Sequence, residues 1–406
     1  MILSRRNLLK GSAAAGALAA LPPMAIADDV IKVGSIHDLS GIFDIYGKPM
    51  DKAVGLVIDD INAAGGLLGM KLEKISYDTQ SDMALYTQYA QQLTRQDHVN
   101  VVHGGILSAS REAIRPTLRK AETLYFYNTQ YEGGVCDRNI FCTGVTPAQQ
   151  SEVLLPAIIK KWGKKIYSLA ADYNYGQITA KWVQHYAEAN GGEIIQTDFF
   201  PLDVADFGAT ITKIQEAKPD IVMSILVGGA HMSFYRQWAA AGMNTKIPMA
   251  STTLCVGNEH RVLTPAEGNG IMVAYSWSQE RDTPENKAFL EKWQKAFGST
   301  DDLHELAVAT YSGMNLWAEG VRKAGSVDRM KVIEALETGI SFEGPAGKIT
   351  IDPPTHHAIN DVLLMQVEDQ KMKVLEVFPQ RPPVDTQAVC DLKKNPDDNQ
   401  QYEIKI

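Results

Sequence analysis

The chain has 406 residues, more than a single hydrophobic core usually serves, so two domains are the working expectation. With 45% hydrophobic and 21% charged residues it has the composition of an ordinary globular protein, which excludes a disordered chain. A formal net charge of -9 argues against nucleic acid or an anionic membrane as partner and leaves a small solute or another protein.

The first residues read as an address. Ser4-Arg5-Arg6-Asn7-Leu8-Leu9-Lys10 precedes an Ala/Gly/Leu stretch over 11–21 and the small-residue pattern Ala25-Ile26-Ala27. Paired arginines in this setting resemble a twin-arginine export signal, with Leu8 where Phe often stands. The apolar stretch falls short of the roughly 20 residues of a spanning helix, so cleavage after Ala27 and a periplasmic product are expected.

From residue 31 strand-like runs alternate with helix-like ones, the pattern of a parallel sheet with helices on both faces. A strand over 31–36 is followed by a helix over 48–63, where Val54, Val57, Ile58 and Ile61 share one face and Gly65-Gly66 stop it. A strand at 71–77, a helix at 86–96, a strand at 99–102, a helix after Ser110 and a strand at 124–127 complete one doubly wound series. A second series starts after Thr146-Pro147, with strands at 166–170, 193–195, 220–225 and 247–251 and helices at 175–189 and from Asp206. Long helical patterns at 284–297 and 304–323 and a turn at 342–347 are expected to rejoin the first series, and strands at 362–367 and 373–378 to close the second. The expected fold is therefore α/β, two doubly wound Rossmann-like lobes joined by three hinge crossings. The first lobe is expected over 30–147 plus 280–350, the second over 148–279 plus 351–390, with a tail at 391–406.

Four cysteines permit three pairings in an oxidising compartment. Cys136 with Cys142 is the simplest bridge and would close a small loop. Cys255 with Cys390 would tie the tail to the body, unless both stay free and buried. His37, His103, His231 and His260 lack metal-ligand spacing, and a surface turn is the default for His356-His357. Gly228-Gly229-Ala230 lacks the Lys and Ser/Thr of a nucleotide loop, and G-x-S-x-G is absent, so neither a cofactor nor an enzyme is expected.

Motifs along nearly the whole mature chain resemble the type I periplasmic binding proteins, in the branch that binds urea and short-chain amides. They include Asp59-Asp60-Ile61-Asn62-Ala63-Ala64-Gly65-Gly66, Ser108-Ala109-Ser110-Arg111, Tyr131-Glu132-Gly133, Gly144-Val145-Thr146-Pro147, Ala171-Asp172-Tyr173 and Ile351-Asp352-Pro353. The resemblance implies a monomer that holds a small solute between its lobes and delivers it to the permease subunits of an ABC importer, and it makes His356-His357 a lobe-crossing feature. Carried over, the cleft takes Ser108, Tyr127 and Thr129 from one lobe and Tyr173, Tyr175 and Thr252 or Thr253 from the other. A Ser-Ala-Ser loop feeding a helix suits an oxygen acceptor, although Ser108 or Ser110 is equally suited to cap the helix. Ile106 stands where that branch has an aromatic wall, and Asn128 and Gln130 replace prolines beside Thr129. The alternatives are a branched-chain or other amino acid-binding protein, whose cleft needs an acid for the ammonium, and a periplasmic sensor partnering a membrane receptor. Glu259 is the nearest such acid and stands too far along the chain.

Overall fold

The computed structural model describes residues 30–404, so the export signal lies outside the described residues. The first lobe begins with β1 (Ile31–His37), α1 (Asp44–Ala63), β2 (Leu72–Asp78), α2 (Met83–Arg95), β3 (Val101–Gly104), α3 (Ser108–Lys120), β4 (Leu124–Tyr127), β5 (Val135–Asp137) and β6 (Ile140–Cys142). Five of these strands form a parallel sheet in the order β2-β1-β3-β4-β6. Strands β3 and β4 are buried at every residue, as a parallel sheet covered on both faces requires.

The second lobe runs through α4 (Pro147–Trp162), β7 (Lys165–Ala171), α5 (Asn174–Ala189), β8 (Glu193–Phe200), α6 (Gly208–Ala217), β9 (Ile221–Ile225), α7 (Gly228–Ala240), β10 (Met249–Ser251), α8 (Glu259–Val262), α9 (Pro265–Gly268) and β11 (Met272–Tyr275). Its parallel strands take the order β8-β7-β9-β10-β11, the same winding as in the first lobe.

The chain then returns through α10 (Pro284–Phe297), α11 (Glu305–Ala324), α12 (Arg329–Leu336) and the hairpin of β12 (Ser341–Gly344) and β13 (Gly347–Ile351). These elements share one apolar core with the first sheet: Trp293, Trp317, Leu336 and Ile349 pack in the same cluster as Val33, Leu56 and Phe126. Trp293 and Trp317 are at most 1% exposed, so truncating either to Ala would cost about 3–5 kcal/mol. Finally β14 (Ala358–Glu368) adds antiparallel to β11, and β15 (Lys371–Arg381) adds to β14. The chain thus passes between the lobes at β6–α4, β11–α10 and β13–β14, and at the third passage β13 pairs antiparallel with β14, so the hairpin is continuous with the second sheet. His356 and His357 lie at the third passage, as the resemblance implies, but are buried and not on the surface: His356 stacks on Phe141 at 4.2 Å, and Cys142 N–H donates to its carbonyl.

The tail makes a fourth passage that the periodicity did not announce. After α13 (Val384–Gln387), β16 (Asn399–Gln401) pairs antiparallel with β5 of the first lobe. Asp385 anchors the crossing by accepting from Thr146 Oγ1 at 2.9 Å and Ala148 N–H at 3.0 Å. The expected Cys136–Cys142 bridge is corrected here: Cys136 pairs with Cys390, 254 residues away, and Cys142 and Cys255 are free and buried. The reason lies in the sheets. Cys136 on β5 faces Cys390 and Leu392, whereas Cys142 on β6 packs into a different cluster with Tyr125, Tyr131 and Ile140.

Non-reducing peptide mapping should therefore recover one bridge, with Cys142 and Cys255 alkylated only after denaturation. Replacing Cys136 and Cys390 with Ser should lower stability by about 2–5 kcal/mol in a denaturant titration, because the bridge closes a long loop.

Candidate ligand-binding cleft

Strand order reverses between β1 and β3 in one sheet and between β7 and β9 in the other, and open α/β sheets bind ligands at the carboxyl ends of strands at such points. The loops that leave these four strands face one another across the lobes. Where they meet lies a cavity of about 40 Å³, lined after β1 by Phe43 and Tyr46, after β3 by Ile106, Leu107 and Ser108, and after β4 by Thr129 and Gln130. Tyr173 and Tyr175 after β7, Val227 after β9, and Thr253 and Val256 after β10 close the other side, with Leu306 of α11 beside them. No side chain in this lining carries a charge.

Of the residues expected at the cleft, Ile106, Ser108, Thr129, Tyr173, Tyr175 and Thr253 line the cavity, and Tyr127 and Thr252 stand behind it. Tyr127 donates to the Ile106 carbonyl at 2.9 Å and so props the loop that carries Ser108. Thr252 accepts from the Tyr175 hydroxyl at 3.2 Å through Oγ1, and its carbonyl takes Gln130 Nε2 at 2.8 Å and Gln150 Nε2 at 3.1 Å. Asn128 turns away toward His103, while Gln130 faces the cavity. Neither serine caps α3: Leu107 holds the N-cap position without a side-chain bond, and Ser110 Oγ receives the Ile106 N–H. The leading N–H groups of α3 therefore remain open to an acceptor.

The small hydroxyls of the lining are already spent as donors, whereas the Tyr173 hydroxyl is uncommitted. Ser108 Oγ donates to Glu132 at 2.5 Å, Thr129 Oγ1 to the Gly105 carbonyl at 3.2 Å, and Thr253 Oγ1 to the Leu226 carbonyl at 2.5 Å. Glu132 is itself fully buried and held by Arg111 at 3.0 Å, whose guanidinium lies 5.0 Å from the Tyr127 ring and 4.4 Å from the Tyr131 ring. Burial works against the Arg111 charge, yet Glu132 keeps it firmly protonated. Gln401 of the tail completes this cluster by donating to Glu132 at 3.2 Å.

The lobes are closed on one another. Tyr46 donates to Glu259 at 2.8 Å across the cleft, and Glu259 also takes the Gly257 N–H at 3.0 Å and lies 3.3 Å from His231 Nε2. Burial alone would raise the Glu259 carboxyl, but His231 and these hydrogen bonds hold it at about 2. Phe43 lies against Gly228, whose φ of +60° and missing Cβ let the ring approach; a Cβ there would sit 3.1 Å from it. Phe43, Tyr46 and Leu306 escaped the sequence reading. The rule that sites lie beyond strand ends, applied to the loop after β1, would have pointed to the first two.

The chain matches the family model for periplasmic binding proteins over residues 30–371 and that for the twin-arginine translocation signal over residues 3–22. It is 24% identical over 348 residues to Leu/Ile/Val-binding protein homolog 6 of Brucella melitensis, covering 84% of this chain and 88% of the relative. A leucine-, isoleucine-, valine-, threonine- and alanine-binding protein of Pseudomonas aeruginosa is 26% identical over 347 residues, 84% of this chain and 90% of its own. Among solved structures, an ABC-transporter solute-binding protein of R. palustris in complex with 4-hydroxybenzoate superposes with a TM-score of 0.80 at 25% identity, covering 87% of this chain and 98% of that one. The chain belongs to the periplasmic binding protein family. It is a substrate-binding protein of the ABC-transporter type, exported to the periplasm by the twin-arginine route.

Next to Leu306, Glu305 is fully buried at the second passage between lobes, with Ser276 Oγ donating to it at 2.7 Å. Burial pushes its carboxyl up to about 7. A folded-state value above the unfolded one means that its protonated form favours folding, so this contribution is complete below about pH 4.5 and is lost as pH rises through 7. Glu305→Gln should therefore gain on the wild type between pH 5 and pH 8, by about 1–3 kcal/mol in parallel denaturant titrations.

Proposed function

We propose that this protein is the solute-binding component of an ABC importer for urea or a short-chain amide. In this reading its two lobes, 30–147 plus 280–350 and 148–279 plus 351–390, close on the solute as a monomer and present the closed face to the permease subunits. The observation that carries the reading is a small cavity without charge. About 40 Å³ is several times the roughly 10–15 Å³ that admits one water, and well below the roughly 150 Å³ of a cavity that takes benzene. A four-atom amide or urea suits that space better than an aromatic ring. The uncharged lining also leaves an ammonium or a carboxylate without a counter-charge, and burying a lone charge is strongly unfavourable.

The names of the relatives favour a second reading, a branched-chain amino acid. The apolar wall of Ile106, Leu107, Val227 and Val256 suits an aliphatic side chain. Against it, Glu259 already serves Tyr46, His231 and the Gly257 N–H and is not part of the lining.

Calorimetry of the mature protein against urea, acetamide, propionamide, leucine and 4-hydroxybenzoate separates these readings. Urea or an amide is expected to bind, with Tyr173→Ala weakening binding about 10–100-fold and Thr129→Val about 3–10-fold at nearly unchanged stability. Binding of leucine or 4-hydroxybenzoate alone would overturn the proposal.

A further inference from the structure

We propose that Gln130 is the residue by which the cleft distinguishes solutes bearing N–H groups from isosteres bearing only acceptors: its Oε1 accepts an N–H of the bound molecule. The inference rests on the amide reading above and names the contact that enforces it.

The orientation of the Gln130 amide follows from its surroundings. Its Nε2 lies 2.8 Å from the Thr252 carbonyl and 3.2 Å from the Tyr175 hydroxyl. A carbonyl can only accept, so the nitrogen must face the second lobe, and the oxygen is turned the other way. That oxygen is buried without a hydrogen-bond partner, on a residue that is 7% exposed and lines the cavity. A buried acceptor left unpaired is destabilising, and a solute donor in the cavity would relieve it.

The neighbouring hydroxyls point to the same complement. Ser108, Thr129 and Thr253 each give their one proton to a carboxylate or carbonyl, none of which can donate in return. Toward the cavity they have only lone pairs to offer. With Gln130 Oε1 this makes four acceptors around the solute, while the N–H groups leading α3 supply donors at one side. A primary amide fills both needs: its carbonyl oxygen meets the helix start and its NH₂ meets the acceptors. Urea brings a second NH₂. A carboxylate or a ketone of the same shape leaves Gln130 and the hydroxyls unpaired, and sites built to hydrogen-bond a group discriminate strongly against analogues that lack it.

The test is a cycle between residue and ligand. Dissociation constants for acetamide and for acetone, its isostere without N–H, are measured on the wild type, on Gln130→Met and on Gln150→Met. Gln150 also donates to the Thr252 carbonyl but does not line the cavity, so its variant removes that support without touching the proposed contact. The wild type is expected to prefer acetamide by 100-fold or more, Gln130→Met to shrink that preference at least 10-fold, and Gln150→Met to leave it unchanged. A preference that survives in Gln130→Met, or falls equally in both variants, overturns the assignment and leaves the amide reading standing. A wild type that binds neither urea nor any short-chain amide overturns both.

Discussion

Closing two α/β lobes takes the polar groups at their strand ends out of water, and each must find a partner in its own lobe, across the gap or in the solute. The cleft is organised around this constraint. Tyr46 is answered by Glu259, the Thr252 carbonyl by Gln130 and Gln150, and the Ser108 hydroxyl by a buried Glu132 that Arg111 neutralises. The pair of Arg111 and Glu132 is expensive to desolvate, and removing one partner of such a pair costs about 3–5 kcal/mol. Its place under the Ser108 loop gives it a use: it sets the direction of a hydroxyl that faces the cavity. The closed state is therefore nearly, but not fully, satisfied by protein alone, and Gln130 Oε1 is left without a partner.

Much of this was legible in the sequence because the determinants are local. The alternation of strand-like and helix-like runs specifies a doubly wound lobe twice, while Ser108, Thr129, Tyr173 and Tyr175 were implied by the family resemblance and lie in the cavity just beyond strand ends. What was missed depends on long-range pairing. Nothing near Cys136 announces that β16 will lie beside β5 and bring Cys390 to it, and the short separation from Cys142 misleads because the two strands face different cores. Tyr127 and Thr252 illustrate a subtler limit: both stand at strand ends, yet a rotation of one residue about the strand turns them behind the lining, where they orient other groups.

The tail adds a constraint of its own. By pairing with β5, bridging to Cys136 and reaching Glu132 through Gln401, it fastens the first lobe next to the site. Asp385 ties the same segment to the start of α4, so the hinge carries a fourth strap beside its three crossings. On the opposite side the lobes meet through Phe43 with Gly228, Tyr46 with Glu259 and Gln130 with Thr252 and Tyr175.

The central claim is that the solute supplies the donors that the closed cleft lacks. A high-resolution crystal structure of the protein grown with acetamide tests it most directly. The account predicts the solute nitrogen within about 3 Å of Gln130 Oε1 and its oxygen toward the first turn of α3. A solute turned the other way, or an ordered water on Gln130 Oε1 in place of the solute nitrogen, would contradict it.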